Sequence, residues 1–209
     1  MTAHSFDAWR RSPAKIVLST PQKGGNSMDA ERGHVPGHVN LDEVGLGPAY
    51  ILGAGQGEHT VVNNSLRTML TRAADTHGDV ALMVSSGDTS VPTMPHFHRN
   101  TTEAVFVLDG VIRVWLDDQK GTKIVKDLTA GEFGLLPRNW IHAWAFAAPK
   151  SRHLGIVSPG GFEHIVNFLD PDKPTSIDNL RESEKHIDVR WLPDYPLFGD
   201  LEDLPIAGS

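Results

Sequence analysis

From about residue 48 to 158 the chain runs as short apolar stretches separated by Gly, Pro, Asn and Asp at close spacing. That spacing is the signature of an all-β sandwich or barrel. The expected strands are 49–52, 60–63, 66–72, 80–85, 103–108, 111–116, 122–126, 133–137, 142–147 and 153–157. Asp109-Gly110 is a short-range hairpin signal, because both residues tolerate positive φ. A looser turn is expected over Asp117 to Gly121.

The flanks read differently. Residues 1–45 are rich in Gly, Pro, His and Asn and hold no sustained period, which predicts an irregular arm packed on the barrel or on a second subunit. Residues 46–170 are expected to form the barrel domain. Within it, Phe162, Ile165, Val166 and Leu169 at i, i+3, i+4 and i+7 predict one short helix capping the barrel. Residues 171–209, with three Pro between Trp191 and Pro205 and many acids, predict an extended tail wrapped on a surface. No internal repeat is present, so a duplicated barrel is not expected.

Composition narrows the partners. A chain of 209 residues that is 39% hydrophobic can bury one substantial core. With a net charge of -7 and 19 scattered Lys and Arg, it has no basic stripe for nucleic acid. No run approaches the roughly 18 apolar residues of a membrane span, and the opening lacks an apolar signal region. A soluble, cytoplasmic protein without a membrane partner is the expectation. The absence of Cys confines any metal to nitrogen and oxygen ligands and leaves the redox compartment open.

Such ligands are at hand. His96 and His98, separated by Phe97, point to one face of a strand by alternation. Glu103 opens the next apolar strand, where a carboxylate is costly to bury unless paired or coordinated. His142 opens an aromatic-rich strand further on. Plain core or surface histidines are the alternative reading. Together, three imidazoles and a carboxylate suit one divalent transition metal ion (Ni, Fe, Cu, Mn, Co or Zn) and not Ca or Mg. The remaining histidines are dispersed apart from His34 with His38, in a segment without helical pattern, so no second metal site is expected.

These stretches resemble the two signature motifs of the cupin superfamily. His96, His98, Glu103 and Gly110 stand at the spacings of the first motif, whose leading Gly is missing near Thr89 and Ser90. Gly131, Pro137 and His142 fit the second, where Asn139 replaces a Gly and Phe146 an Asn. Asn139 tolerates the left-handed conformation such a turn needs. Within the superfamily the chain is similar to single-domain quercetin 2,3-dioxygenases, on the Gly131-to-His142 run, Ser158 to Glu163 and Asp188 to Arg190.

The resemblance implies a double-stranded β-helix, or jelly-roll barrel, that assembles as a homodimer. It implies one divalent metal on His96, His98, Glu103 and His142. It also implies oxygen-dependent ring cleavage of a flavonol or related hydroxylated aromatic ketone, with O2 and a small aromatic substrate as partners. Glu103 would be both ligand and general base. A non-oxidative isomerase or lyase using the metal as a Lewis acid, or a non-catalytic small-molecule-binding cupin, are the alternatives. By strand parity Trp144 and Phe146 share the His142 face, and Met94 the His96 face. These three are the candidate substrate-pocket residues, with ordinary barrel filling as the competing role.

Overall fold

The computed structural model describes residues 49–62, 65–169 and 175–197. The expected arm over 1–45 lies outside them. The chain divides into two units, 1–56 and 57–209, and the strands and helices below all belong to the second. Among the described residues no helix is long and apolar enough to cross a membrane.

Among the described residues eleven strands form two antiparallel sheets, as expected of a double-stranded β-helix. The first sheet holds β1 (Glu58–Val62), β2 (Ser65–Thr71), β3 (Ala81–Gly87), β10 (Ser151–Ser158), β5 (Thr102–Asp109) and β8 (Phe133–Leu136), in that order. The second orders β11 (Arg190–Trp191), β4 (His96–Phe97), β9 (Ile141–Phe146), β6 (Val111–Asp117) and β7 (Lys123–Thr129).

Several expectations are corrected. Residues 49–52 form no strand and are exposed, Ile51 at 95%. Asp109-Gly110 makes a tight turn but no hairpin, because β5 pairs with β10 and β8 while β6 pairs with β7 and β9. Gly110 has φ 70° and passes so close to Ser151 that a Cβ would lie 2.7 Å from the Ser151 Cα. Ser151 Oγ then accepts the Val111 N–H at 3.0 Å, so a side chain takes a bond that a hairpin ladder would have supplied. The hairpin that does form here is β6–β7, closed over Asp118, whose Oδ1 accepts the N–H groups of Lys120 and Thr122.

The expected cap over 162–169 winds as a 3-10 helix, Phe162–Phe168, with Phe162, Ile165 and Leu169 packed on one apolar cluster. Its buried Glu163 accepts N–H bonds from Ala73 and Gly161, which ties it to the turn after β2. The tail is not simply extended. Ser176 caps α1 (Ile177–Ser183) by accepting the Asn179 N–H, and Arg190–Trp191 joins the second sheet as β11 against β4. Leu180, Val189 and Trp191 are buried there. The short helix presents one buried apolar residue, Leu180, so its sequence carries no period to read.

Inside the barrel the first sheet lays its side chains in rows. Ala81, Val157 and Glu103 share the first row. Met69, Met83, Gly155 and Val105 share the second, and Arg67, Ser85, His153 and Val107 the third. Val114, Leu136, Trp144, Phe146 and their neighbours close over them as the main apolar core. Each large side chain buried there contributes roughly 1.5–3 kcal/mol.

His153 is only 2% exposed and rests edge-on to Trp144, 4.5 Å between ring centres. Burial, with the Arg67 charge nearby, lowers its pKa from 6.5 to about 3. The unfolded chain therefore takes up a proton near pH 6.5 that the folded chain refuses until about pH 3. Stability from the neutral imidazole is complete above the higher value and falls by about 1.4 kcal/mol per pH unit below it. In denaturant titrations of metal-free protein between about pH 4 and 7, His153→Leu is expected to lose less stability on acidification than the wild type. Parallel curves would remove His153 from the acid response.

Candidate metal centre

Both sheets contribute to one cluster at the first-row end of the barrel. His96 and His142 face each other across the β4–β9 ladder, His98 follows β4, and Glu103 lies near the start of β5 on the opposite sheet. One donor atom from each of the four lies within 4.8 Å of the others. The histidines are 1–2% exposed and Glu103 8%. Glu103 Oε1 stands 3.4 Å from His98 Nε2, and Oε2 3.5 Å from His142 Nε2.

Each imidazole is fixed from behind. Nδ1–H donates to the carbonyl of Met94 in His96 (2.8 Å), of Trp140 in His142 (3.0 Å) and of Asp188 in His98. A proton on Nδ1 leaves Nε2 with its lone pair. All three Nε2 atoms are buried without a hydrogen-bond partner. Buried polar nitrogens left unpaired are costly, and three converging beside a carboxylate fit a divalent transition metal.

Among the protein groups alone, His96 is held well below the usual imidazole range, because burial penalises its cation and His142 and His98 add repulsion. Burial also works against charge on His98, but Glu103 and the Asp188 carbonyl outweigh it and raise its pKa. Burial opposes charge on Glu103 too, yet the adjoining His142 and His98 imidazoles outweigh it and hold its carboxyl well below the carboxylate range. Glu103 is thus an anion at neutral pH, and His96 is a neutral donor.

The turn between β4 and β5 is held by a residue from beyond the barrel. The Asp188 carboxylate accepts the backbone N–H groups of Arg99, Asn100 and Thr101 at 2.7–3.1 Å. Asn139, at φ 62°, adopts the left-handed conformation expected where a Gly is replaced, and donates its N–H to the His98 carbonyl. Phe162 and Trp191 lie against the imidazoles, their ring centres 4.6 Å from His98 and His96 respectively. They cover the cluster with apolar surface.

A largely apolar cavity opens beside His96. Met94 and Trp144 line it, together with Phe162, Met69, Met83 and Trp191. Phe146 does not: it is 1% exposed and packs in the core, with Gly87 and Trp144 against its ring. It shares the parity of Trp144 but lies two residues deeper, so the indole covers it. Sequence reasoning missed Arg67, which also lines the cavity and sets its guanidinium 5.0 Å from the Trp144 ring centre. Alternation within β2 was its available signal. The clamp role of Asp188 had no local signal.

The profile of the family described as Cupin matches residues 56–153. Quercetin 2,3-dioxygenase of Bacillus subtilis (strain 168) is 26% identical over 123 residues, 58% of this chain and 35% of that protein. The Aspergillus japonicus enzyme of the same name is 29% identical over 76 residues, 36% of this chain and 22% of that protein. The chain therefore spans about a third or less of these relatives. Among solved structures, KdgF from a Halomonas species is similar with a TM-score of 0.47 at 18% identity, covering 56% of this chain and 98% of that one.

Asp188→Ala keeps all four candidate ligands and the carbonyl beside His98 but frees three N–H groups of the turn. We expect zinc affinity, measured by competition with a chromophoric chelator, to fall about ten- to hundredfold with the far-ultraviolet circular dichroism preserved. Unchanged affinity would mean that the turn holds itself. Elemental analysis of wild type is expected to find about one transition metal ion per chain, as one closed ligand set implies. His96→Ala and His142→Ala should lower that content equally.

Proposed function

We propose that this chain, a cupin resembling the quercetin 2,3-dioxygenases, opens the ring of a flavonol or related hydroxylated aromatic ketone with O2. One divalent transition metal ion would be held by His96, His98, Glu103 and His142. The observation that carries the reading is the convergence of three unpaired Nε2 atoms and one carboxylate at the edge of an apolar, aromatic-walled cavity. When bound, the ion supplies Lewis acidity that lowers the pKa of a substrate hydroxyl.

The protein groups divide the remaining work. Trp144 and Met94 offer flat apolar surface to an aromatic ring, which orients the hydroxyl toward the cluster. Glu103 is ionised and accepts the hydroxyl proton on a carboxylate oxygen. The resulting enolate is electron-rich at carbon, where both atoms of dioxygen add; the two carbon–carbon bonds of the enol carbon break, that carbon leaves as carbon monoxide, and the heterocycle opens. Phe162 and Trp191 keep bulk water from the imidazoles and so protect the enolate from reprotonation.

Removing a general base typically costs about 10² to 10⁴ in rate, whereas three imidazoles alone can hold a divalent ion. Glu103→Ala is therefore expected to retain much of its metal and lose at least about a hundredfold in kcat, with Glu103→Asp between. Metal content and oxygen uptake with quercetin are measured on the same samples. A fully metallated Glu103→Ala as fast as wild type removes the proton-acceptor role. Equal substrate turnover under strict anaerobiosis replaces the dioxygenase with a lyase or isomerase.

A further inference from the structure

Arg67 is the cation that nothing in the metal centre uses. It sits in the third row of the first sheet, opposite Thr60 on β1 and Ser85 on β3. Its side chain is half-buried and lines both the cavity that His96 and Trp144 share and a second one toward Ser90 and Thr93. Its Nε is buried without a hydrogen-bond partner, and no ion pair reaches it among the described residues. The other cavity-lining guanidinium, on Arg72, is already paired in a fork with Glu58 at 2.5 and 3.1 Å.

Its neighbours cannot neutralise it. Ser85 Oγ and His153 Nδ1, next in the same row, are buried and themselves unpaired, and neither group is an anion. Burial lowers the Arg67 pKa to about 10, so the group is still charged at neutral pH. Glu103 acts on it only through space, two rows away, and faces the histidines. A guanidinium drawn partly out of water without a counter-ion is costly, and the fold gains no ion pair in return. Its fork, stacked on an indole and turned to an apolar cavity, matches one planar two-oxygen anion.

We propose that Arg67 is a carboxylate-binding subsite, so that the molecule acted on carries a carboxylate remote from the oxygens that face the histidines. The inference rests on the proposed function and narrows it, from an unmodified flavonol to a hydroxylated aromatic ketone acid. Rows one and three are roughly 13 Å apart along the strands, at about 3.3 Å per residue. The arginine arm shortens that span to the length of a small aromatic acid. Thr93, which lines the same wall, accepts the Trp144 N–H through Oγ1 and keeps its own hydroxyl hydrogen to give to the second carboxylate oxygen.

Benzoate and benzamide, equal in shape and different in charge, are the probes, titrated calorimetrically into wild type, Arg67→Met and Arg67→Lys. Wild type is expected to bind benzoate at least about tenfold tighter than benzamide, the difference a charge-assisted pair supplies. Arg67→Met should abolish the preference without weakening benzamide, and Arg67→Lys should retain part of it. Stripping the metal with a chelator should leave the preference in place. Equal binding of the two probes overturns the subsite, as does a preference that survives Arg67→Met. A preference that disappears with the metal does so too, since benzoate would then be a metal ligand. Arg67→Met is expected to melt no lower than wild type because it loses an unpaired buried charge; should it fail to fold, the metal-stripped wild type decides by itself. Oxygen uptake is scored separately. Benzoate preference without oxygen consumption in any assay removes the dioxygenase reading and leaves the subsite standing; oxygen-dependent turnover without the preference does the reverse.

Discussion

The hydrogen bonds from three histidines to three backbone carbonyls set everything else in this barrel. Each fixes one proton on Nδ1 and turns one lone pair inward, so ring orientation and tautomer are decided by main-chain atoms before any ligand arrives. Two of the carbonyls, of Met94 and Trp140, belong to residues two positions upstream of the histidine they serve. The third, of Asp188, comes from 90 residues away. The barrel supplies the strands, but the orientation of His98 depends on chain that lies outside the β-helix proper.

That difference in range marks what could be read in the sequence. Local geometry was legible: the alternation of His96 and His98, the carboxylate at the head of a core strand, and the left-handed turn at Asn139 follow from short-range rules and appear at the expected places. Long-range packing was not. Asp109-Gly110 has the composition of a hairpin turn, yet Ser151, some forty positions on, pulls the two strands into different sheets. Trp144 and Phe146 have equal parity, and only depth within the barrel separates a cavity wall from a core residue. The helix α1 rests on a Ser cap and one buried Leu, too little to register as a period.

The interior is also divided electrically. Glu103 in the first row and Arg67 in the third are opposite charges enclosed by the same sheet, with Met69, Met83, Gly155 and Val105 between them. At an effective dielectric of about 20, opposite charges on rows roughly 13 Å apart attract by only about one kcal/mol, less than either loses on leaving water. The apolar row keeps them from collapsing into an ion pair, and the cavity beside it is lined by His96 and by the guanidinium. Polarity at both ends with thioethers and rings between gives the cavity a direction, which a uniformly apolar pocket lacks.

The clamp at Asp188 has a consequence for the order in which the protein is made. A nascent chain that has emerged as far as β10 already carries His96, His98, Glu103 and His142 and every strand of the first sheet. It does not yet carry the carbonyl that orients His98 or the carboxylate that gathers the N–H groups of residues 99–101. In such a chain all four donors are present, but His98 lacks the carbonyl that sets its ring. A site that needs His98 in this orientation would therefore be complete only once the segment through Trp191 has left the ribosome and paired as β11 with β4.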